Sequence, residues 1–109
     1  MNQILWKLSD AGAHDAVTVL LEYPTDSGGL PEQEGRLSAP QFIERVEVYA
    51  EARKLVTLRL NRWSSRFGVY RILLPKLQPG VPMRVIAIDH QGTRLETPGE
   101  ARYGAYRRV

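Results

Sequence analysis

The chain has 109 residues, 43% of them hydrophobic and 25% charged, which is the size and composition of one globular domain. It contains no cysteine, so a disulfide framework, a thiolate metal site and a cysteine nucleophile are excluded. The net charge is +3, and no run approaches the roughly 18 apolar residues of a membrane-spanning helix. We therefore expect one domain, residues 1–109, with no membrane segment.

The charge is unevenly divided along the chain. Residues 1–52 hold three basic and nine acidic side chains, whereas residues 53–109 hold twelve basic and three acidic ones. Twelve of the fifteen basic residues are arginine, which suits bidentate pairing with carboxylate, sulfate or phosphate. We interpret the two halves as neighbours within one fold, with their charges interleaved on its outer faces.

Alternating apolar and polar residues predict β-strands along most of the chain. In chain order the strand candidates are 4–8, 16–23, 42–50, 55–61, 70–74, 83–89 and 93–97, with 101–107 as a further edge strand. The runs 4–8 and 93–97 are the weaker ones. The run 83–89 is apolar on both faces apart from Arg84, which is typical of a central strand.

Turn residues separate these runs. Residues 10–12 and 90–92 each end in glycine, and in the second of these turns we expect Gly92 at a left-handed position of a hairpin. The turn at 51–54 lacks glycine and asparagine, and residues 24–40 form a Pro- and Gly-containing loop that is functional or mobile. The pattern predicts an all-β fold, an immunoglobulin-like antiparallel β-sandwich of about seven strands, with a small barrel as the alternative.

The sequence contains no motif of a catalytic or metal site. The metal candidate groups His14 and Asp15 with Asp89 and His90, which requires the first and last turns to meet. Residues 64–65 are serines without a nucleophile elbow, and no glycine-rich phosphate loop is present. We therefore predict solvated turn residues rather than ligands, and neither cofactor, metal nor catalytic residues.

Arginines alternate with aromatic residues in the second half, as in Arg62-Trp63 and Arg66-Phe67. Barrels that bind single-stranded nucleic acid stack bases on such rings and hold phosphates in basic grooves. A basic β-barrel of this kind is the alternative function. The acidic first half argues against it, because it would share the same small surface and repel phosphate.

Binding of a partner protein is the preferred function. The edge strands of a sandwich carry backbone groups that can pair with another chain. Exposed aromatic residues, for which Trp63, Tyr103 and Tyr106 are candidates, are natural docking sites. A homodimeric adaptor that pairs through its edge strands is a further possibility.

Four segments stand in an order that is known from one family. They are Tyr23-Pro24-Thr25-Asp26-Ser27-Gly28, the stretch from Gly35 to Tyr49, Ser64 to Tyr70, and Asp89 to Gly92. They resemble a His-Pro-Met-Glu-Thr-Gly box, a Gly-Lys-Leu-Ile-Pro-like stretch before a Phe-Ile strand, a Ser-x-Asn-Pro-Tyr-like box and a closing Asp-x-x-Gly hairpin. Over residues 4 to 101 the chain thus resembles a divergent member of the SoxZ family, the small subunit of the SoxYZ carrier of bacterial thiosulfate oxidation.

The resemblance implies a non-catalytic scaffold that forms a heterodimer with a SoxY-like subunit. That partner carries sulfur intermediates on the cysteine of a C-terminal Gly-Gly-Cys-Gly-Gly arm, and other sulfur-oxidation enzymes meet the pair transiently. The family boxes imply that the partner-binding residues are Tyr23, Pro24, Asp26, Gly28, Trp63, Arg66 and Phe67. No membrane or nucleic-acid partner is implied.

The resemblance also implies a location. The N-terminal residues Met-Asn-Gln-Ile-Leu-Trp-Lys lack the features of a signal peptide. A subunit of this family reaches the periplasm by export together with its partner, so we expect a periplasmic protein. Without the resemblance, the expectation is cytoplasmic.

Overall fold

The computed structural model describes residues 3–22, 42–61 and 68–104. Within these ranges the chain forms seven β-strands and no helix, so none of its described segments is a helix that could cross a membrane. The strands are β1 (Gln3–Ala11), β2 (His14–Glu22), β3 (Ile43–Ala50), β4 (Arg53–Arg59), β5 (Val69–Pro75), β6 (Pro82–Asp89) and β7 (Arg94–Glu100). The predicted all-β class and strand number are confirmed.

The strands form two antiparallel sheets. One has three strands in the order β1-β2-β5, and the other has four in the order β4-β3-β6-β7. The chain passes from one sheet to the other after β2, after β4 and after β5. This connectivity is that of an immunoglobulin-like sandwich, in which the two sheets bury their inner faces against each other.

The core lies between the sheets and follows from the period of the strands. Successive strand side chains point to opposite faces, so alternate apolar residues line one face. The buried core residues are Ile4, Trp6, Leu8, Val17, Val19, Leu21, Ile43, Val46, Val48, Leu74, Met83, Val85, Ala87 and Ala101. Burying one valine, leucine or isoleucine side chain contributes roughly 1.5–3 kcal/mol. The central position predicted for the strand at 83–89 is confirmed by β6.

Two buried hydrogen bonds join the sheets within this core. The indole N–H of Trp6 donates to the carbonyl oxygen of Thr97 at 2.9 Å. The hydroxyl of Thr97 donates in return to the carbonyl oxygen of Ile4 at 2.7 Å. Because Trp6 and Thr97 are both 0% exposed, these bonds satisfy polar groups that would otherwise destabilise the core.

The turns cluster at the two ends of the sandwich. The end that we call the Gly12 end holds the β1–β2 turn, residues 51–52, residues 76–81 and residues 101–104. The opposite end, the His90 end, holds the β6–β7 turn. Glycine occupies the left-handed region in both hairpins, with φ of +76° at Gly12 and +86° at Gly92, as predicted for the second.

Two features of the Gly12 end differ from ordinary turn chemistry or from the predicted strands. The turn without glycine places Glu51 in the left-handed region, with φ of +55°. The edge strand expected at 101–107 is not formed in its described part, residues 101–104. Only an isolated parallel bridge joins Tyr103 to Leu8 there. The chain turns away after β7 because Ala101 is buried in the core and donates its amide to the carbonyl of Val81.

Candidate functional site

The partner-binding residues predicted from the family boxes lie outside the described residues. They are Tyr23, Pro24, Asp26, Gly28, Trp63, Arg66 and Phe67. The described residues that flank their two segments all lie at the His90 end: Glu22 and Phe42 on one side, Asn61 and Gly68 on the other. The exposed aromatic candidate that can be placed is Tyr103, which is 55% exposed at the opposite end.

The metal candidate is wrong because the fold separates its members. His14 and Asp15 begin β2 at the Gly12 end, whereas Asp89 and His90 follow β6 at the His90 end. Within the described ranges no group of three or more histidine, aspartate or glutamate side chains is arranged to hold a metal ion.

Asp15 and Asp89 are buried, which corrects the prediction of solvated turn residues. Asp15 is 1% exposed, and its carboxylate accepts hydrogen bonds from the Tyr103 hydroxyl at 2.6 Å and from the Leu77 amide at 3.0 Å. Lys76 lies 3.0 Å from the same carboxylate. This network fastens three segments of the Gly12 end to one another: β2, the β5–β6 link and the chain after β7.

The network shifts the acidity of its members. Burial raises the pKa of Asp15, but the hydrogen bonds from Tyr103, Leu77 and Lys76 outweigh it and leave that pKa below its ordinary value. Lys76 also donates to Asp10 at 2.6 Å, and its bonds to Asp10, Tyr103 and Asp15 raise the pKa of the ammonium group. The charges are thus held in place by one another, which is typical of a structural network.

Asp89 organises the hairpin at the other end. Its carboxylate accepts hydrogen bonds from the amides of Gln91 at 2.9 Å and Thr93 at 2.8 Å. The next side chain, His90, stacks on Phe42 with ring centroids 5.2 Å apart. These contacts join β6, β7 and the start of β3, and they explain why an Asp-x-x-Gly sequence forms this turn.

Two depressions lie at the Gly12 end. The larger, about 600 Å³, is bordered by Glu51, Arg53 and Lys76, and the smaller, about 190 Å³, lies beside Leu8 and Tyr103. Lys76 borders the larger depression but is engaged by Asp10 and Asp15. Neither depression combines a free nucleophile with a base, so we assign no chemistry to them.

The outer face of the four-stranded sheet is rich in charge. One row across the sheet contains Arg59 on β4, Arg45 on β3, Ile88 on β6 and Arg94 on β7. Arg45 pairs with Glu47 at 3.3 Å. Arg59 and Arg94 are exposed and have no ion pair with any residue in the described ranges. This arginine row is a positively charged strip about three strand spacings wide, or roughly 14 Å.

The next row of that face is acidic and balances it. Glu47 is 8% exposed and pairs with Lys54 at 3.5 Å, while the Tyr49 hydroxyl donates to it at 3.1 Å. Burial raises the pKa of Glu47, but these contacts and Arg45 outweigh it and hold that pKa below its ordinary value. Basic residues from the second half of the chain thus pair with acidic residues from the first half, as in Lys54–Glu47 and Lys76–Asp15. This pairing agrees with the interleaving of charges inferred from the sequence.

The outer face of the three-stranded sheet carries exposed apolar side chains on its edge strand β5. Leu5, Leu20 and Val69 form one row across the three strands. Their exposure rises towards β5: Leu5 is 3% exposed, Leu20 is half-buried and Val69 is 51% exposed. Leu73, two rows further along β5, is 55% exposed beside the fully buried Ala16. Large apolar side chains on an edge strand are a feature of surfaces that bind other proteins.

Sequence reasoning missed this β5 surface. The signal was present, because Val69 and Leu73 are apolar at positions where the alternation of Tyr70, Ile72 and Leu74 requires polar residues. Among the described strands β5 pairs with β2 alone, and this pairing places the two side chains at an edge of the sheet.

Comparison with known proteins adds no assignment, because no protein-family model matches the chain and no curated protein matches it.

Proposed function

We propose that the chain is a protein-binding scaffold that forms a heterodimer with a SoxY-like subunit of a sulfur-carrier complex. The observation that carries the proposal is the exposed apolar pair Val69 and Leu73 on edge strand β5. Each exposes about half of its surface, which costs free energy in water that a partner would recover on binding. The identity of that partner rests on the motif order in the sequence.

The division of labour in such a pair fits the composition of the chain. The sequence has no cysteine, so a covalently carried sulfur intermediate would be held by the partner, on its Gly-Gly-Cys-Gly-Gly arm. The scaffold contributes a rigid surface, since its two sheets are fastened by the buried hydrogen bonds of Trp6 with Thr97 and of Thr97 with Ile4. Such rigidity lowers the entropy cost of association.

The arginine row is the surface proposed to meet the other sulfur-oxidation enzymes. Arg59 and Arg94 lie on the sheet opposite to the β5 surface, so both surfaces are accessible at the same time. Exposed cations attract acidic protein surfaces or sulfur oxyanions and mainly raise the rate of encounter. Transient contacts of this kind weaken as salt concentration rises.

The location follows from the same proposal. In such a periplasmic carrier the scaffold would be exported together with its partner. Expression with and without a signal-bearing SoxY-like subunit, followed by fractionation, tests this. We expect the scaffold in the periplasmic fraction only when the partner is present.

Co-expression tests the heterodimer itself. The probe is a SoxY-like subunit with a C-terminal Gly-Gly-Cys-Gly-Gly arm. We expect the two chains to co-purify and to elute as a one-to-one complex during size-exclusion chromatography. Separate elution of two folded chains would contradict the proposal. Tight binding of a single-stranded oligonucleotide instead, with a steep dependence on salt, would favour the nucleic-acid alternative.

A further inference from the structure

The backbone of β5 has one set of hydrogen-bonding groups that points away from its sheet. The Leu21 amide donates to the carbonyl of Gly68 at 2.6 Å, just before β5 begins. In an antiparallel ladder, hydrogen-bonded pairs alternate with pairs that are not hydrogen-bonded. The register therefore directs the N–H and C=O groups of Val69, Arg71 and Leu73 away from β2. None of the strands in the described ranges pairs with that edge.

The same three residues also place their side chains on the outer face. Val69 and Leu73 are 51% and 55% exposed, and Arg71 is exposed between them. Arg71 has no ion pair with any residue in the parts of the chain that the structure describes. Its neighbour across the sheet is Thr18 on β2, so no carboxylate lies directly opposite it.

We infer that β5 receives an extended segment of the partner protein, added as a fourth strand to this sheet. The segment carries one acidic residue opposite Arg71 and an apolar residue two positions to either side, opposite Val69 and Leu73. Main-chain hydrogen bonds to the free edge supply affinity, and the alternate side chains supply specificity. This inference rests on the proposed function and specifies how the partner is held.

In the register that pairs Val69 with Leu73, charge favours a foreign segment over a second copy of this chain. Two β5 strands paired antiparallel, so that Val69 meets Leu73 of the second copy, place Arg71 directly opposite the second copy's Arg71. Like charges directly opposite each other in a sheet are destabilising. An acidic residue at that position is attractive, so the edge suits a partner of complementary charge.

A peptide pair tests the inference without the SoxY-like subunit. The probe is acetyl-Thr-Ile-Thr-Glu-Thr-Ile-Thr-amide, and its counterpart has lysine in place of glutamate. Nuclear magnetic resonance of the full chain should show chemical-shift changes and slowed amide exchange at Val69, Arg71 and Leu73 with the glutamate peptide. The Arg71→Glu variant should bind the glutamate peptide about tenfold more weakly than the wild-type chain does. It should bind the lysine peptide more tightly than the glutamate peptide.

The control variant is Arg53→Glu, which reverses an exposed charge on the other sheet and should leave both peptides unaffected. Thermal unfolding of Arg71→Glu should match that of the wild-type chain. The inference is overturned if the shifts occur elsewhere or do not occur, or if Arg71→Glu does not exchange the preference of the two peptides.

The SoxY-like subunit separates failure of the inference from failure of the proposed function. If the subunit binds the wild-type chain and the Arg71→Glu and Leu73→Ser variants equally well, the heterodimer stands and the docking edge is wrong. If the subunit does not bind but the peptides exchange preference, the edge is a docking site and the proposed function is wrong. We expect each variant to lower the affinity for the SoxY-like subunit by about tenfold or more.

Discussion

The Tyr103 hydroxyl donates a 2.6 Å hydrogen bond to the buried carboxylate of Asp15, and this contact fastens the chain after β7 to β2. The contact spans 88 positions of sequence and links the two sheets at the Gly12 end. Together with the parallel bridge between Leu8 and Tyr103, it covers the end of the β1 edge. Among the described residues, edge protection of this kind is found beside β1 and not beside β5.

Removing this hydroxyl should destabilise the domain without unfolding it. Tyr103→Phe keeps the ring but leaves the buried Asp15 with one donor fewer, and hydrogen bonds to charged groups contribute about 1.5–3 kcal/mol. We expect a loss of about 1–2 kcal/mol because Lys76 and the Leu77 amide still contact the carboxylate. Urea unfolding measures it. An unchanged midpoint would show that the contact contributes nothing.

Acidification should destabilise the domain through Asp15 and Glu47. Both carboxyl groups have a pKa in the folded state below the ordinary value. Their contribution is therefore complete above the unfolded pKa of about 4 and is lost as the pH falls through the lower folded pKa. Thermal unfolding between pH 7 and pH 2 checks this. Asp15→Asn should be less stable at neutral pH but lose less stability on acidification, and parallel curves would contradict the assignment.

The buried hydrogen bonds between the two sheets should stabilise the domain. Thr97→Val preserves shape but removes the hydroxyl that donates to the carbonyl of Ile4, in a position that is 0% exposed. We expect a loss of about 1–3 kcal/mol, since a buried hydrogen bond disappears and leaves a carbonyl with one partner fewer. Denaturant unfolding measures the loss. Thr93→Val, at an exposed turn, is the matched control and should change stability little.

The β3–β4 turn should tolerate glycine better than its native residue. Glu51 has φ of +55°, which costs a residue with a side chain roughly 1 kcal/mol. Glu51→Gly should therefore leave stability unchanged or raise it by up to about 1 kcal/mol. Glu51→Val, with a β-branched side chain in the same conformation, should lower it. A destabilised glycine variant, measured by thermal unfolding, would show that the side chain has a stabilising contact.

The sequence predicted much of the fold because strand period and turn glycines are local properties. The runs at 42–50, 70–74 and 83–89 correspond to β3, β5 and β6, and Gly92 occupies the expected left-handed position. The pairing of strands is a non-local property, and no pattern within β5 shows that β2 is its one partner among the described strands.

The candidate sites were harder to predict than the strands. Asp15 and Asp89 have the composition of solvated turns, yet both are buried. The donors of Asp89 are local amides, two and four positions away. Those of Asp15 come from positions 61 to 88 residues away. The apolar residues Val69 and Leu73 became a candidate surface only once their strand was placed at an edge.

Calorimetric titration of the wild-type chain with the SoxY-like subunit tests the central claim most directly. The proposed heterodimer predicts saturable one-to-one binding, with a dissociation constant of about 1 µM or lower and a negative heat-capacity change from burial of apolar surface. A concentration of about 100 µM is far above this dissociation constant. If the two folded proteins do not bind each other at that concentration, the proposed heterodimer is contradicted.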